Sequence, residues 1–162
     1  MSKIWRALCV LFMALLAGTA FADDVVLKPF VLASKGPGDF AQKVEATKAA
    51  LAGQGFTIAG SYAPYPGATV IAVTNDEMRA TAAKSERGGF GAAQRVAVTK
   101  VKDEVQVSYT NPIYLANAYR MAGDLKETAA KLQAALGKVE EFGAQGLSAE
   151  KLRKYHYAFG ME

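Results

Sequence analysis

Cysteine is almost missing from this 162-residue chain, which holds one Cys (Cys9), one Trp (Trp5) and one His (His156). Cys9 and Trp5 both lie within residues 1–22, where Lys3 and Arg6 precede an apolar run from Ala7 to Ala17 and an Ala20-Phe21-Ala22 end. A cationic start, a short apolar centre and an A-x-A end predict a secretory signal peptide over residues 1–22, with Asp23-Asp24 favouring cleavage after Ala22. The run is about half the ~20 residues that a bilayer-spanning helix needs. Position 19, where a lipid-modified start would place Cys, is Thr19. The mature chain is thus expected to be soluble and exported, and periplasmic in a Gram-negative source.

Removing that segment changes what the composition excludes. The mature chain has no Cys, which excludes thiolate catalysis, iron–sulfur clusters and Cys-ligated zinc. Of the 19 bases, 17 remain against 15 acids once Lys3 and Arg6 are gone. That balance supplies no basic stripe and argues against nucleic acid. A length of 162 less 22, or 140 residues, suits one domain that needs no disulfide or metal staple.

The mature sequence alternates strand and helix signals. Residues 24–33 are apolar and β-branched, and Pro29 makes the run an edge or bulged strand. Asp39 with Gln42 predicts a helix N-terminus. Phe40, Val44, Thr47 and Leu51 follow at helical spacing up to Gly53-Gln54-Gly55. Strands are expected over Phe56–Tyr62 and Ala68–Thr74, then a helix opened by a Thr74-x-x-Glu77 capping box. Arg95–Val101 and Glu104–Tyr109 form the clearest strand pair. Asn111-Pro112 opens another helix, and Asp124 with Glu127 caps the next. Its stripe Leu125, Ala129, Leu132, Leu136, Val139 is a candidate dimer face. Ser148 caps a last short helix. Hairpins separated by helices predict an α+β fold with a mainly antiparallel sheet. Residues 23–140 are expected to form the domain, and 141–162 a C-terminal extension with the short helix.

The segments Gln94-Arg95-Val96-Ala97-Val98 and Val105-Gln106-Val107-Ser108-Tyr109-Thr110-Asn111-Pro112, with Gly55-Phe56-Thr57-Ile58 and the helix after Thr74-Asn75, resemble the DUF302 family, a domain of unknown function. The resemblance covers residues 25–137. It implies a TATA-binding-protein-like arrangement, an antiparallel sheet with helices packed on one face. Many members carry Cys where this chain has Thr74 and Gln94, so thiol chemistry in the family does not transfer. The resemblance brings no established activity, and fold alone does not assign one.

Four polar residues are the best site candidates. Asn75 and Asn111 start helices and Arg95 and Tyr109 lie near strand ends, so a common rim would gather them as a ligand-orienting set or a catalytic one. As simple helix caps, the two Asn would each contribute ~1 kcal/mol. The loop Ser85–Gly91 with Arg95 is a second candidate, for an anion. His156 and Met161 pair imidazole with thioether, a set seen on copper and haem iron. The carboxylate pairs Asp76-Glu77, Asp103-Glu104 and Glu140-Glu141 read as solvated surface. These residues leave the cofactor unknown. The reading these residues favour is a non-catalytic, exported domain that binds a small molecule or a protein, with a homodimer among the partner classes. Metal or haem binding through His156 and Met161, and an enzyme built around Arg95 and Tyr109, are the alternatives.

Overall fold

The computed structural model describes residues 25–86 and 88–155, so the signal segment, Arg87, His156 and Met161 lie outside the described residues. Pro29 splits the first apolar run into β1 (Val26–Leu27) and β2 (Phe30–Gly36). Helix α1 spans Phe40–Gly53, capped by Asp39, whose carboxylate accepts from the Gln42 amide at 2.8 Å. A hairpin of β3 (Thr57–Tyr62) and β4 (Ala68–Thr74) follows, then α2 (Asp76–Ala83) and a 3-10 turn at Gly88–Gly91. The pair β5 (Gln94–Val101) and β6 (Glu104–Thr110) leads to α3 (Pro112–Ala118) and α4 (Lys126–Leu136). The chain then gives β7 (Glu140–Phe142), β8 (Leu147–Ser148) and α5 (Ala149–Lys154).

These elements make an α+β fold. Six strands form one antiparallel sheet in the order β3-β4-β5-β6-β2-β7, and β1 pairs with β8 in a small second sheet. Strand alternation sets which face is buried. Val31, Ile71, Val73, Val96, Val98, Val105, Val107 and Tyr109 share one core with Leu51 of α1, Met78 of α2, Ala116 of α3 and Leu132 of α4. Each large side chain buried there contributes roughly 1.5–3 kcal/mol. The helices therefore cover one face of the sheet, and Arg95, between the buried Val96 and Gln94, projects from the other. Among the described residues no helix is long and apolar enough to cross a membrane.

Several local expectations are corrected. Asn75, not Thr74, caps α2. Thr74 Oγ1 donates instead to the Ala92 carbonyl at 2.7 Å, and Glu77 accepts from the Thr128 amide and hydroxyl, so the box does not form. The cap position of α4 is Leu125, with φ 54° and no side-chain cap bond, while the Asp124 carboxylate accepts from the Lys126 amide. Leu125 and Leu132 are fully buried in the core and Leu136 packs against it, so these three stripe residues face inward, while Val139 is exposed. The helix stops at Leu136, and Val139 is already in the extended lead to β7, its amide donating to the Leu32 carbonyl. Residue 140, the expected domain boundary, falls in β7, which pairs with β2, while Leu152 of α5 is completely buried.

Candidate functional site

The four polar candidates do not gather. Asn75 is buried, its Oδ1 accepting from the Met78 amide at 2.9 Å and its Nδ2 donating to Thr128 Oγ1 at 3.0 Å. Arg95 is exposed on the uncovered face, opposite Ala72, whereas Tyr109 pairs with Val96 on the core side. Arg95 and Tyr109 thus lie on opposite faces of the sheet, and a joint catalytic set of the two is excluded by register. Only Tyr109 and Asn111 come near a common group, and it is Glu141. Asn111 Nδ2 donates to the Lys28 carbonyl at 2.9 Å and to Glu141 Oε2 at 3.2 Å, while its Oδ1 accepts from the Ile113 and Tyr114 amides. Tyr109 Oη donates to the Gly137 carbonyl at 3.4 Å. Burial, reinforced by the Glu141 charge, pushes the Tyr109 phenol up to about 12.

Glu141 is therefore not solvated surface. It is half-buried and also accepts from the Lys28 amide and from Lys138 Nζ. Adjacent-residue logic failed because Glu140 and Glu141 sit on a strand, which turns only one of the two inward. In the Ser85–Gly91 loop, where Arg87 lies outside the described residues, Ser85 and Gly88 make framework contacts. Ser85 Oγ donates to the Thr81 carbonyl and accepts from the Ala122 amide, while Gly88 lies against the Ala82 backbone. Gln94 is completely buried; its Oε1 accepts from Thr110 Oγ1 and its Nε2 has no partner.

The open space is elsewhere, along α1. The register of β2 against β6 shifts between Leu32 and Ser34, a bulge that bends the strand. After the shift, Ser34 pairs with Val107 and Gly36 with Val105, so two small residues lie on the helix-covered face where larger ones would fill it. Above them α1 presents Ala46 and Ala50. The result is two adjoining clefts, ≈ 370 Å³ at the Gly36-Pro37-Gly38 end and ≈ 200 Å³ toward Leu136 of α4. Ser34, Lys43 and Ala46 line both. The larger volume lies within the range of small-molecule sites.

Asp39 and Gln42 are among the residues lining the wider cleft, and Val107 and Leu136 among those lining the narrower one. Lys43 is half-buried at the junction. The ion pairs among the described residues engage Lys48, Arg79, Lys126, Lys131, Lys138 and Lys154, but not Lys43. An uncompensated ammonium beside an apolar floor can hold an anion that also carries an apolar part. Pro29 marks the strand as edge or bulged, but nothing in the sequence places the bulge at Ala33 or the cleft, and Lys43 reads there as an ordinary helix lysine.

Comparison with known proteins bears on the fold. No family model matches the chain, and no curated protein matches it. A solved structure does, described as an uncharacterized conserved protein DUF302 from Bacillus stearothermophilus, at a TM-score of 0.54 and 16% identity, covering 64% of this chain and 92% of that one. At that identity the likeness concerns architecture alone. The expectation drawn from Gln94–Val98 and Val105–Pro112 is met at that level, and this chain has a DUF302-like α+β fold.

Proposed function

We propose that the protein is an exported, non-catalytic member of the DUF302 family that binds a small molecule in the cleft between α1 and the bulged edge of β2. The observation that carries this reading is the cleft itself: ≈ 370 Å³ opening into a further ≈ 200 Å³, with Lys43 unpaired where they meet. The bulge at Ala33 supports it as well, because bulges recur where a strand is re-aimed beside a site. Export rests on residues 1–22, with Ala22 as the last residue removed.

Two measurements test this. The N-terminal mass of protein recovered from the exported fraction should correspond to a chain beginning at Asp23. A fragment screen by amide chemical shift should give hits centred on Ser34, Lys43 and Ala46, and those hits should vanish in Ala46→Trp, which fills both clefts from an exposed helix position. Hits that ignore Ala46→Trp would place the site elsewhere. A metal or haem that copurifies and is lost on His156→Ala would replace this reading with the alternative.

A further inference from the structure

We infer that the ligand class of the α1 cleft is a linear monocarboxylate, with its carboxylate on Lys43 and its hydrocarbon chain in the narrower cleft. This rests on the cleft being the binding site. Lys43 is a half-buried cation without an ion pair among the described residues, and it lines both clefts. Lys35 and Asp39, both exposed, also line the wider cleft and offset one another, so the lining carries one net positive charge, which balances one negative charge. A phosphate dianion calls for a further base or an arginine fork, and no arginine lines either cleft.

Beyond Lys43 the narrower cleft presents Ala50, Val107, Ala135 and Leu136, and its one side-chain hydroxyl, from Thr47, already donates to the Lys43 carbonyl at 2.7 Å. Apart from Ser34 at the junction, no side-chain polar group there is left to orient a hydroxylated chain. In the other direction the wider cleft holds Asp39 as well as Lys35, so no surplus cation is left there for the second charge of a dicarboxylate.

Titration of the mature chain, followed by amide shifts and calorimetry, with hexanoate, octanoate, octanol and octylammonium tests the inference. Octanoate is expected to bind at Ser34, Lys43 and Ala46, more tightly than octanol and far more tightly than octylammonium. Each added methylene from hexanoate to octanoate should raise affinity about fourfold. Lys43→Met should weaken octanoate by about 10- to 100-fold while leaving octanol unchanged, and Lys43→Arg should restore most of the loss. Octanol binding as tightly as octanoate, or Lys43→Met leaving octanoate unaffected, would overturn the acid assignment and leave the cleft reading intact. If no probe shifts the cleft residues, the carboxylate class is wrong; the fragment screen with Ala46→Trp judges the cleft reading separately.

Discussion

Tyr109 gives the sharpest quantitative test of the core. Its ring is only 3% exposed, its hydroxyl reaches the Gly137 carbonyl at 3.4 Å, and burial plus the Glu141 charge raise its pKa from 10.0 to about 12. The folded state holds the phenolic proton more tightly than the unfolded state does. Stability from this group is therefore fully present below pH 10 and is lost as pH rises through about 12. A displacement of that size corresponds to roughly 2–3 kcal/mol. The assay is urea unfolding of wild type and Tyr109→Phe in parallel between pH 9 and 12, so that other groups titrating in that range cancel in the difference. At pH 9 the variant should lose less than about 1 kcal/mol, because the hydrogen bond removed is long. By pH 12 it should be more stable than wild type by about 2 kcal/mol. A wild-type-minus-variant difference that stays constant from pH 9 to 12 would refute the reasoning.

Asn111→Ala should cost about 2–3 kcal/mol in thermal or urea unfolding, since it removes the cap of α3 and strips Glu141 and the Lys28 carbonyl of a buried donor. Leu132→Ala should cost about 2–5 kcal/mol by opening a cavity at a completely buried site. Gln94→Met, equally buried, should change stability by less than about 1 kcal/mol in the same assay, because it removes an amide nitrogen that has no partner along with one bond from Thr110. Gly88→Ala should destabilise by about 1–3 kcal/mol, since a Cβ there would stand 2.3 Å from the Ala82 carbonyl oxygen, a backbone atom that cannot swing aside. Gly38→Ala, with open space at its Cβ position, is the matched control and should stay near wild type.

What was legible in the sequence follows the range of the interaction. Asp39, Asn111 and Ser148 were readable as caps because each one's partner amide lies within three residues, and all three make that bond. The β5–β6 hairpin was readable because Val96, Val98, Val105 and Val107 alternate over a two-residue turn, Lys102-Asp103. Thr74 and Glu77 were misread because their partners, Ala92 and Thr128, are 18 and 51 residues away. Asp124 lost the α4 cap to a left-handed Leu125, a conformation costly for a branched side chain that full burial of the leucine offsets. The register of a strand is decided by its neighbours, which is why Arg95 and Tyr109, one residue out of step across β5 and β6, could look like rim companions and yet face opposite ways.

The cleft, too, depends on elements distant in sequence. Pro29 marks the run as an edge or bulged strand, and β2 is bulged, but no turn residue at Leu32-Ala33-Ser34 fixes the place; the shift exists only relative to Ser108 and Val107 on β6. Its consequence is a pair of undersized residues, Ser34 and Gly36, set beneath Ala46 and Ala50 of a helix that reads as merely alanine-rich. Small residues on two elements distant in sequence leave a void only once the elements are stacked. A lysine placed at that void is then distinguished from the others by what surrounds it and not by its type. Lys48, five residues on, is matched by Glu45 at 2.8 Å, while Lys43 lines both clefts without an ion pair, Asp39 being the acid that lines the wider one with it. The proposed site thus rests on residues that are ordinary in sequence, whereas Asn75 and Asn111, the more conspicuous polar residues, cap α2 and α3 and bond across to Thr128 and Glu141.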